Sequence, residues 1–425
     1  MSKSWNRMET WLALIVVAVG VLLAAVAGLH VYVTATATRL HPEPAQVPST
    51  ATTAAAPQWR DAAERGRQIV RAAVSEQNLP AVSVAVGVRG ALVWAEGFGW
   101  ADLRSRLPVS PQTRFRIGTA SKVLTSAAVG LLLERHRLDL DTEIQTYVPQ
   151  FPRKEWPVTL RHLAGHRAGI GTDAGDEGPL LSQRCWRPVE GVNAFAEQPL
   201  LFAPGTAYRY SSYGWILVSA AVEAAAHEPF MTFMRTQVFE PLEMDHTTAD
   251  SATEAIGLRA TPYFPRYAAD PRYGADLMRP VDHSCYAGAS AFLSTPSDLV
   301  RFGMAIDRGT LLQPATVQLL QTSQRLPSEA ETGYGLGWAL ETVTLAGAPT
   351  RVVGHDGESL GGRVASLKML GDRGIVVAVT SNISYADTPS LALKVAEAFI
   401  AADRKGPRPD TGTSRGPAPG GPRPH

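Results

Sequence analysis

Residues 11 to 29, WLALIVVAVGVLLAAVAGL, form an uncharged apolar run of 19. A helix needs ~20 such residues to cross a bilayer, so this run commits the start of the chain to a membrane and leaves the fold to the residues after it. Lys3 and Arg7 precede it, and the positive-inside bias keeps residues 1–10 in the cytoplasm and exports everything after about residue 33. Residues 11–33 therefore read as a transmembrane signal anchor. A cleaved signal peptide is the competing reading, because Ala35-Thr36-Ala37 fits an A-x-A site; the apolar core is longer than the ~7 to 15 residues of such a peptide.

Residues 34–57, which include HPEPAQVPSTATTAAAP, are rich in Pro, Ala and Thr without apolar periodicity and read as a linker. From Trp59 to Asn78 the pattern places Ala62, Ile69, Ala72 and Ala73 on one helical face, so a folded domain is expected over 58–402. AVSVAVGV and ALVWAEGFG flank Arg89-Gly90 as a hairpin, and TRVVGH, GRVASLKML and GIVVAVTSN read as three late strands. LALKVAEAFIAA, 391 to 402, reads as a closing helix, and residues 119 to about 330 are mostly helix and loop. This order predicts an α+β fold: an antiparallel sheet assembled from both ends of the domain, flanked by N- and C-terminal helices and carrying an inserted, mostly helical lobe. Active sites favour the cleft between such lobes.

Residues 403–425 hold Pro, Gly and Arg with almost nothing apolar and read as a disordered tail. They contain Gly412-Thr413-Ser414-Arg415-Gly416, a G-x-S-x-G pattern. A nucleophile elbow needs a strand before it and a helix after it, and the surrounding sequence supplies neither.

Lysine plus arginine number 40 against 39 acidic residues, a net charge of +1. That balance gives no electrostatic footing for nucleic acid. A small-molecule or peptide substrate is the expected partner, with the membrane met through the N-terminal helix; oligomeric state is not legible. Cys185 and Cys285 lie in the exported part, where a disulfide closing so long a loop contributes roughly 2 to 4 kcal/mol. Sequence leaves open whether they pair. His283 is the only candidate metal ligand nearby, too few for a site.

Three stretches carry chemistry. In Thr119-Ala120-Ser121-Lys122 a hydroxyl and an amine lie three residues apart, on one face if a helix starts near Thr119. A lysine amine can take a hydroxyl proton, and the helix N-terminus favours the charge that develops. The chain has 34 arginines and six lysines, so a lysine here points to the one cation that can lose its proton. A simple N-cap with a solvated lysine remains the plain alternative. Ser121 should point away from the face shared by Thr119 and Lys122. Tyr210-Ser211-Ser212 precedes a helix and sets a phenol at a loop-to-helix junction, where packing is the plain alternative. His355-Asp356-Gly357 ends a strand, and its glycines let backbone approach a ligand.

In this order, the three stretches resemble the motif set of the serine beta-lactamase and penicillin-binding-protein superfamily. The nearest likeness is to its class C-like branch, with family VIII esterases, D-aminopeptidases and bacterial relatives of the mitochondrial serine beta-lactamase-like protein. LRHLAGHRAGI, FEPLEMDHTT, AFLSTPSDLVRFG and YGLGW match between the motifs, and the likeness spans about residues 60 to 402. It implies Thr119 as nucleophile, Lys122 as its base and Tyr210 as the proton shuttle to the leaving group. It also implies His355 in the place of the third-motif Lys or His, the backbone N–H groups of Thr119 and Glu358 as oxyanion hole, and Ser212, Asp356 and Gly357 as substrate-binding residues. An ester, amide or lactam would acylate the hydroxyl, and water would release it; no metal or organic cofactor is implied. His162 and His166, at i and i+4, have the spacing of a zinc pair, but no Glu sits between them as in H-E-x-x-H, and the family has a His at the second position in a structural turn near the cleft. The departure is Thr119, where the family has serine: the added methyl stiffens χ1 and crowds the attacking oxygen. A hydrolase and an inactive relative that binds a cell-envelope peptide or protein both remain open on sequence grounds.

Overall fold

The computed structural model describes residues 2–51, 55–171, 179–250 and 258–403. The tail after 403, with its G-x-S-x-G pattern, lies outside the described residues. Helix α1, Ser2–Ala35, contains the one span among the described residues long and apolar enough to cross a membrane, Thr10–Ala35.

The sheet grows from the two ends of the domain, as the strand patterns require. Its strands are β1 (Ser49–Ala51), β2 (Ala81–Val88), β3 (Ala91–Asp102), β4 (Ala339–Leu345), β5 (Ala348–Ser359), β6 (Gly362–Leu370) and β7 (Ile375–Ser381). They run antiparallel in the order β1-β3-β2-β7-β6-β5-β4, with the short strand Leu107–Pro108 paired to β3. The Arg89-Gly90 turn has positive φ at both residues, the twist that closes a two-residue hairpin. Non-local pairing joins β2 to β7, Ala85 opposite Ala378.

Alternation along the central strands divides the core between two faces. Val82, Val84, Val86, Val377 and Val379 turn to one side, where Phe399 joins them. Helices α2 (Arg60–Glu76) and the closing helix (Thr388–Asp403) cover that side. Ala85, Ala378, Val376 and Leu367 turn to the other, against the helical lobe. There the lobe contributes α3 (Ser121–Glu134), α4 (Ser212–Ala226) and α5 (Pro296–Asp307). Gly87 is needed for this packing, since a Cβ there would lie 2.4 Å from the Met304 sulfur of α5.

Three expectations change. The buried stripe of α2 is Ala62, Ala63, Gly66, Val70 and Val74, whereas Ile69, Ala72 and Ala73 are half-buried, because the helix is rotated to meet Trp94 and Phe399. Strand β4 is an addition to the sheet, since its residues carry no simple alternation. Within the expected linker 34–57, residues 38–51 are fastened to the domain: β1 pairs with β3, Ser49 opposite Phe98, and Val47 is buried. Asn78 holds this segment by donating to the Thr38 carbonyl and accepting from the Leu40 N–H. Backbone groups here find partners, which composition cannot reveal.

Candidate active site

Thr119 lies in a single 3-10 turn, Gly118–Ala120, that leads into α3. The backbone of this turn touches the end of β5. A Cβ on Gly118, whose φ is +50°, would lie 2.0 Å from the Glu358 carbonyl oxygen, and one on Gly357 would lie 1.9 Å from that of Ile117. Both positions need glycine for that approach. The β5–β6 register shifts between Gly357 and Glu358, and such a bulge re-aims the backbone. The result is a Glu358 N–H that donates to Thr119 Oγ1 at 2.9 Å, while that hydroxyl donates to the Asp356 carbonyl at 3.2 Å. Thr119 is therefore no N-cap.

Ser121 faces elsewhere, as expected. Its Oγ donates to the Gly118 carbonyl at 2.7 Å and it is fully buried. Lys122, one turn on, is also fully buried. Its Nζ donates to Ser212 Oγ at 3.3 Å and to the Ala289 carbonyl at 3.1 Å, and lies 4.8 Å from the centre of the Tyr210 ring. The solvated-lysine alternative does not hold.

Tyr210 is delivered by the start of α4. Ser211 caps that helix, its Oγ accepting from the Gly214 N–H and donating to the Gly171 carbonyl. The Ser211 N–H donates to His166 Nδ1 at 3.1 Å, which puts the proton of neutral His166 on Nε2. The His166 ring lies 4.2 Å from that of Tyr210 and 4.7 Å from that of Tyr334. Burial, then the Lys122 charge, holds its pKa well below the ordinary 6.5. His162 instead closes a capping box with Thr159, so the two histidines are engaged separately.

His355 is buried on β5. Its Nδ1 lies 2.6 Å from the Asp356 carbonyl and its Nε2 3.0 Å from the Tyr334 hydroxyl. A carbonyl can only accept, so Nδ1 carries the proton and Nε2 accepts from Tyr334. Burial and then the Lys122 charge lower the His355 pKa to about 4, and burial raises that of Tyr334 well above 10. Both groups are neutral near pH 7.

Asp356 presents its carbonyl, not its carboxylate, to Thr119 and His355. The carboxylate accepts from Ser366 Oγ at 2.7 Å and pairs with Lys368 at 3.0 Å, which also reaches Glu341 at 2.8 Å. That carboxylate is thus engaged along the sheet face, and the bare Gly357 admits the Ile117 carbonyl. Tyr334 carries no role that sequence alone assigns, whereas His166 stands where the resemblance implies a structural histidine. The YGLGW segment contains Tyr334, but only the tertiary contact shows its His355 partner. Farther off, Cys185 and Cys285 form a disulfide.

Residues 67–401 match the family described as Beta-lactamase. Serine beta-lactamase-like protein LACTB, mitochondrial, of Mus musculus is 27% identical over 474 residues, covering 85% of this chain and 85% of that protein. Penicillin-binding protein 4* of Bacillus subtilis is 23% identical, covering 73% and 70%. Among solved structures, an octameric penicillin-binding protein homologue from Pyrococcus abyssi superposes with a TM-score of 0.65 at 23% identity, covering 80% of this chain and 77% of that one. A D-stereospecific amidohydrolase from Streptomyces sp. gives 0.64 at 21%, covering 79% and 98%. At these identities the solved structures bear on the fold.

Proposed function

The chain belongs to the beta-lactamase family, and on that premise we propose that it is an outward-facing, membrane-anchored hydrolase that uses Thr119 as nucleophile. The substrate is an ester, a small peptide or amide, or a lactam. The observation that carries the reading is the Glu358 N–H aimed at Thr119 Oγ1 at 2.9 Å beside the buried Lys122. In this scheme Lys122 acts from its neutral form: the amine takes the Thr119 proton, becoming the ammonium, as Oγ1 attacks the substrate carbonyl. The displaced Glu358 N–H, with that of Thr119, then receives the oxyanion. Tyr210, against the Lys122 ammonium, returns the proton to the leaving group, and a water repeats the sequence to free the enzyme. Ser212 positions Lys122, and neutral His355 donates through Nδ1 to the Asp356 carbonyl that also holds the Thr119 hydroxyl.

A second reading, an inactive relative that binds a cell-envelope peptide or protein, is favoured by one observation: the Thr119 side chain is buried, at 3% exposure. Treating the protein with a fluorophosphonate probe or penicillin and weighing it intact separates the two. An adduct lost in Thr119→Ala and kept in Ser121→Ala supports the hydrolase; no adduct with either reagent, and no nitrophenyl ester turnover, supports the inactive relative.

A further inference from the structure

The end of α1 is fastened to the domain. Leu29 is the last residue of the apolar run and His30 the next, and the His30 ring meets that of Tyr273 edge to face at 5.9 Å. Val33 is 5% exposed, on a helix whose Trp11 to Tyr32 side chains stand open. Arg266 donates to the Val33 carbonyl at 3.3 Å, to that of Thr36 at 3.2 Å, and to Thr36 Oγ1 at 2.5 Å. These bonds cap the last turn with a cation, the charge that a helix C-terminus favours. Ser75 Oγ then holds the His41 carbonyl at 2.8 Å, so little slack remains between helix and sheet.

The depth of these contacts follows from helix geometry. At ~1.5 Å of rise per residue, His30 to Thr36 lie within about 10 Å of the end of the apolar run. Headgroup layers extend ~5 to 7 Å beyond each side of the hydrocarbon core. Tyr273, against His30, and the Arg266 bond to Val33 about 6 Å out therefore fall at headgroup depth when α1 spans, with Thr36 just beyond it. Both belong to one hairpin, whose strands Tyr263–Pro265 and Ala275–Leu277 pair antiparallel. Tyr267 packs on Tyr273 at 5.5 Å, Ala268 and Ala269 are exposed, and Leu277 is 71% exposed. Two tyrosines and an open leucine suit a layer that is apolar on one side and wet on the other. Arg272 is paired with Asp270.

We propose that the hairpin Tyr263–Leu277 is a membrane-contact surface that seats in the headgroup layer of the bilayer crossed by α1 and holds the domain in one orientation to it. The proposal rests on the reading of α1 as an uncleaved anchor. The hairpin is braced to the sheet: the Tyr263 N–H donates to the Asn382 carbonyl at 2.7 Å, and its hydroxyl accepts from the Leu103 N–H at 2.8 Å. Ser384, whose N–H donates to the Tyr263 carbonyl, holds the Ser359 carbonyl beside Glu358 at 3.0 Å. Membrane seating and the end of β5 thus share one set of contacts.

The test uses the full chain with one introduced cysteine, at Ala269, at Leu277, or at Gln318 in the helical lobe. The chain's two native cysteines are paired, so only the new thiol takes an environment-sensitive fluorophore. In phosphatidylcholine vesicles, with or without phosphatidylglycerol, labels at 269 and 277 should shift to the blue and lose intensity to a spin label on the lipid headgroup. The label at 318 should do neither. Labels at 269 and 277 that behave like 318, while carbonate washing leaves the chain in the vesicle pellet, overturn the membrane-contact surface and leave the anchor standing. Release by carbonate overturns the anchor, and the proposal with it.

Discussion

The Glu358 N–H donates to Thr119 Oγ1 at 2.9 Å, so the bulged end of β5 presents a backbone donor to the hydroxyl that opens α3. Two glycines, Gly118 and Gly357, make this approach possible. The pair brings together residues 239 apart in the chain, and it is the geometric centre of the proposed chemistry.

Thr119→Ala should abolish covalent labelling and lower ester turnover by about 10³-fold or more, the scale seen when a nucleophile is removed. Thr119→Ser should keep or raise turnover, since it removes the crowding methyl. Ser121→Ala should leave the rate within a few fold and instead cost about 1 kcal/mol of stability through the lost bond to the Gly118 carbonyl. Intact mass, steady-state rates and thermal melting read the three outcomes.

Lys122→Met keeps the volume of a buried side chain and removes its amine. Turnover should fall by about 10² to 10⁴-fold, the usual worth of a positioned base. Because the Lys122 charge helps to depress the His355 pKa, that pKa should rise in the variant, which ring NMR would register. An unmoved His355 titration would argue against a charged Lys122 near it.

Tyr334→Phe deletes the donor to His355 Nε2 and strands a buried acceptor, at a cost of about 1 to 3 kcal/mol. If that ring positions the Asp356 carbonyl and Thr119, kcat should fall more than KM changes. Equal kinetics with a lower melting temperature would make Tyr334 a packing residue only.

Stability should depend on acid through buried histidines. Burial depresses the His283 pKa from the ordinary 6.5 to about 4, and His355 to about 4. Between these values the unfolded chain binds protons that the folded chain refuses, so this stability is complete above about pH 6.5 and is lost as pH falls toward about 4. For His283 the shift corresponds to roughly 3 kcal/mol. Melting curves from pH 7 to 4 should fall, and His283→Asn should flatten the slope.

The Cys185–Cys285 bond closes a separation of 100 residues. Reduction, or Cys185→Ser with Cys285→Ser, should cost about 2 to 4 kcal/mol by freeing the unfolded chain. A melting temperature unchanged by reductant would show that the loop is held by packing alone.

Much of the fold and of the site is legible in the chain because local signals are strong. Strand alternation, the Arg89-Gly90 turn and the closing helix come from side-chain periods and turn chemistry, and the hydroxyl-x-x-Lys spacing from helical repeat. The fastening of residues 38–51 is not legible: Pro, Ala and Thr look like a tether whether or not Asn78 supplies their hydrogen bonds. Nor is the aim of Asp356, whose carboxylate goes to Lys368 because the cross-strand partner Ser366 and its neighbour set that side of β5.

The sequence by itself determined the apolar N-terminal run, the α+β class with strands from both ends, and the residue types of the candidate site, since each depends on periodicity, length or a spacing of a few residues. Tertiary structure decided the Glu358–Thr119 contact, the His355–Tyr334 pair, the Cys185–Cys285 bond and the seating of α1 on the hairpin. Those depend on where distant backbone segments come to rest. A bulge, a bare glycine or a single arginine sets them, and no periodic signal along the chain records which remote partner it will meet.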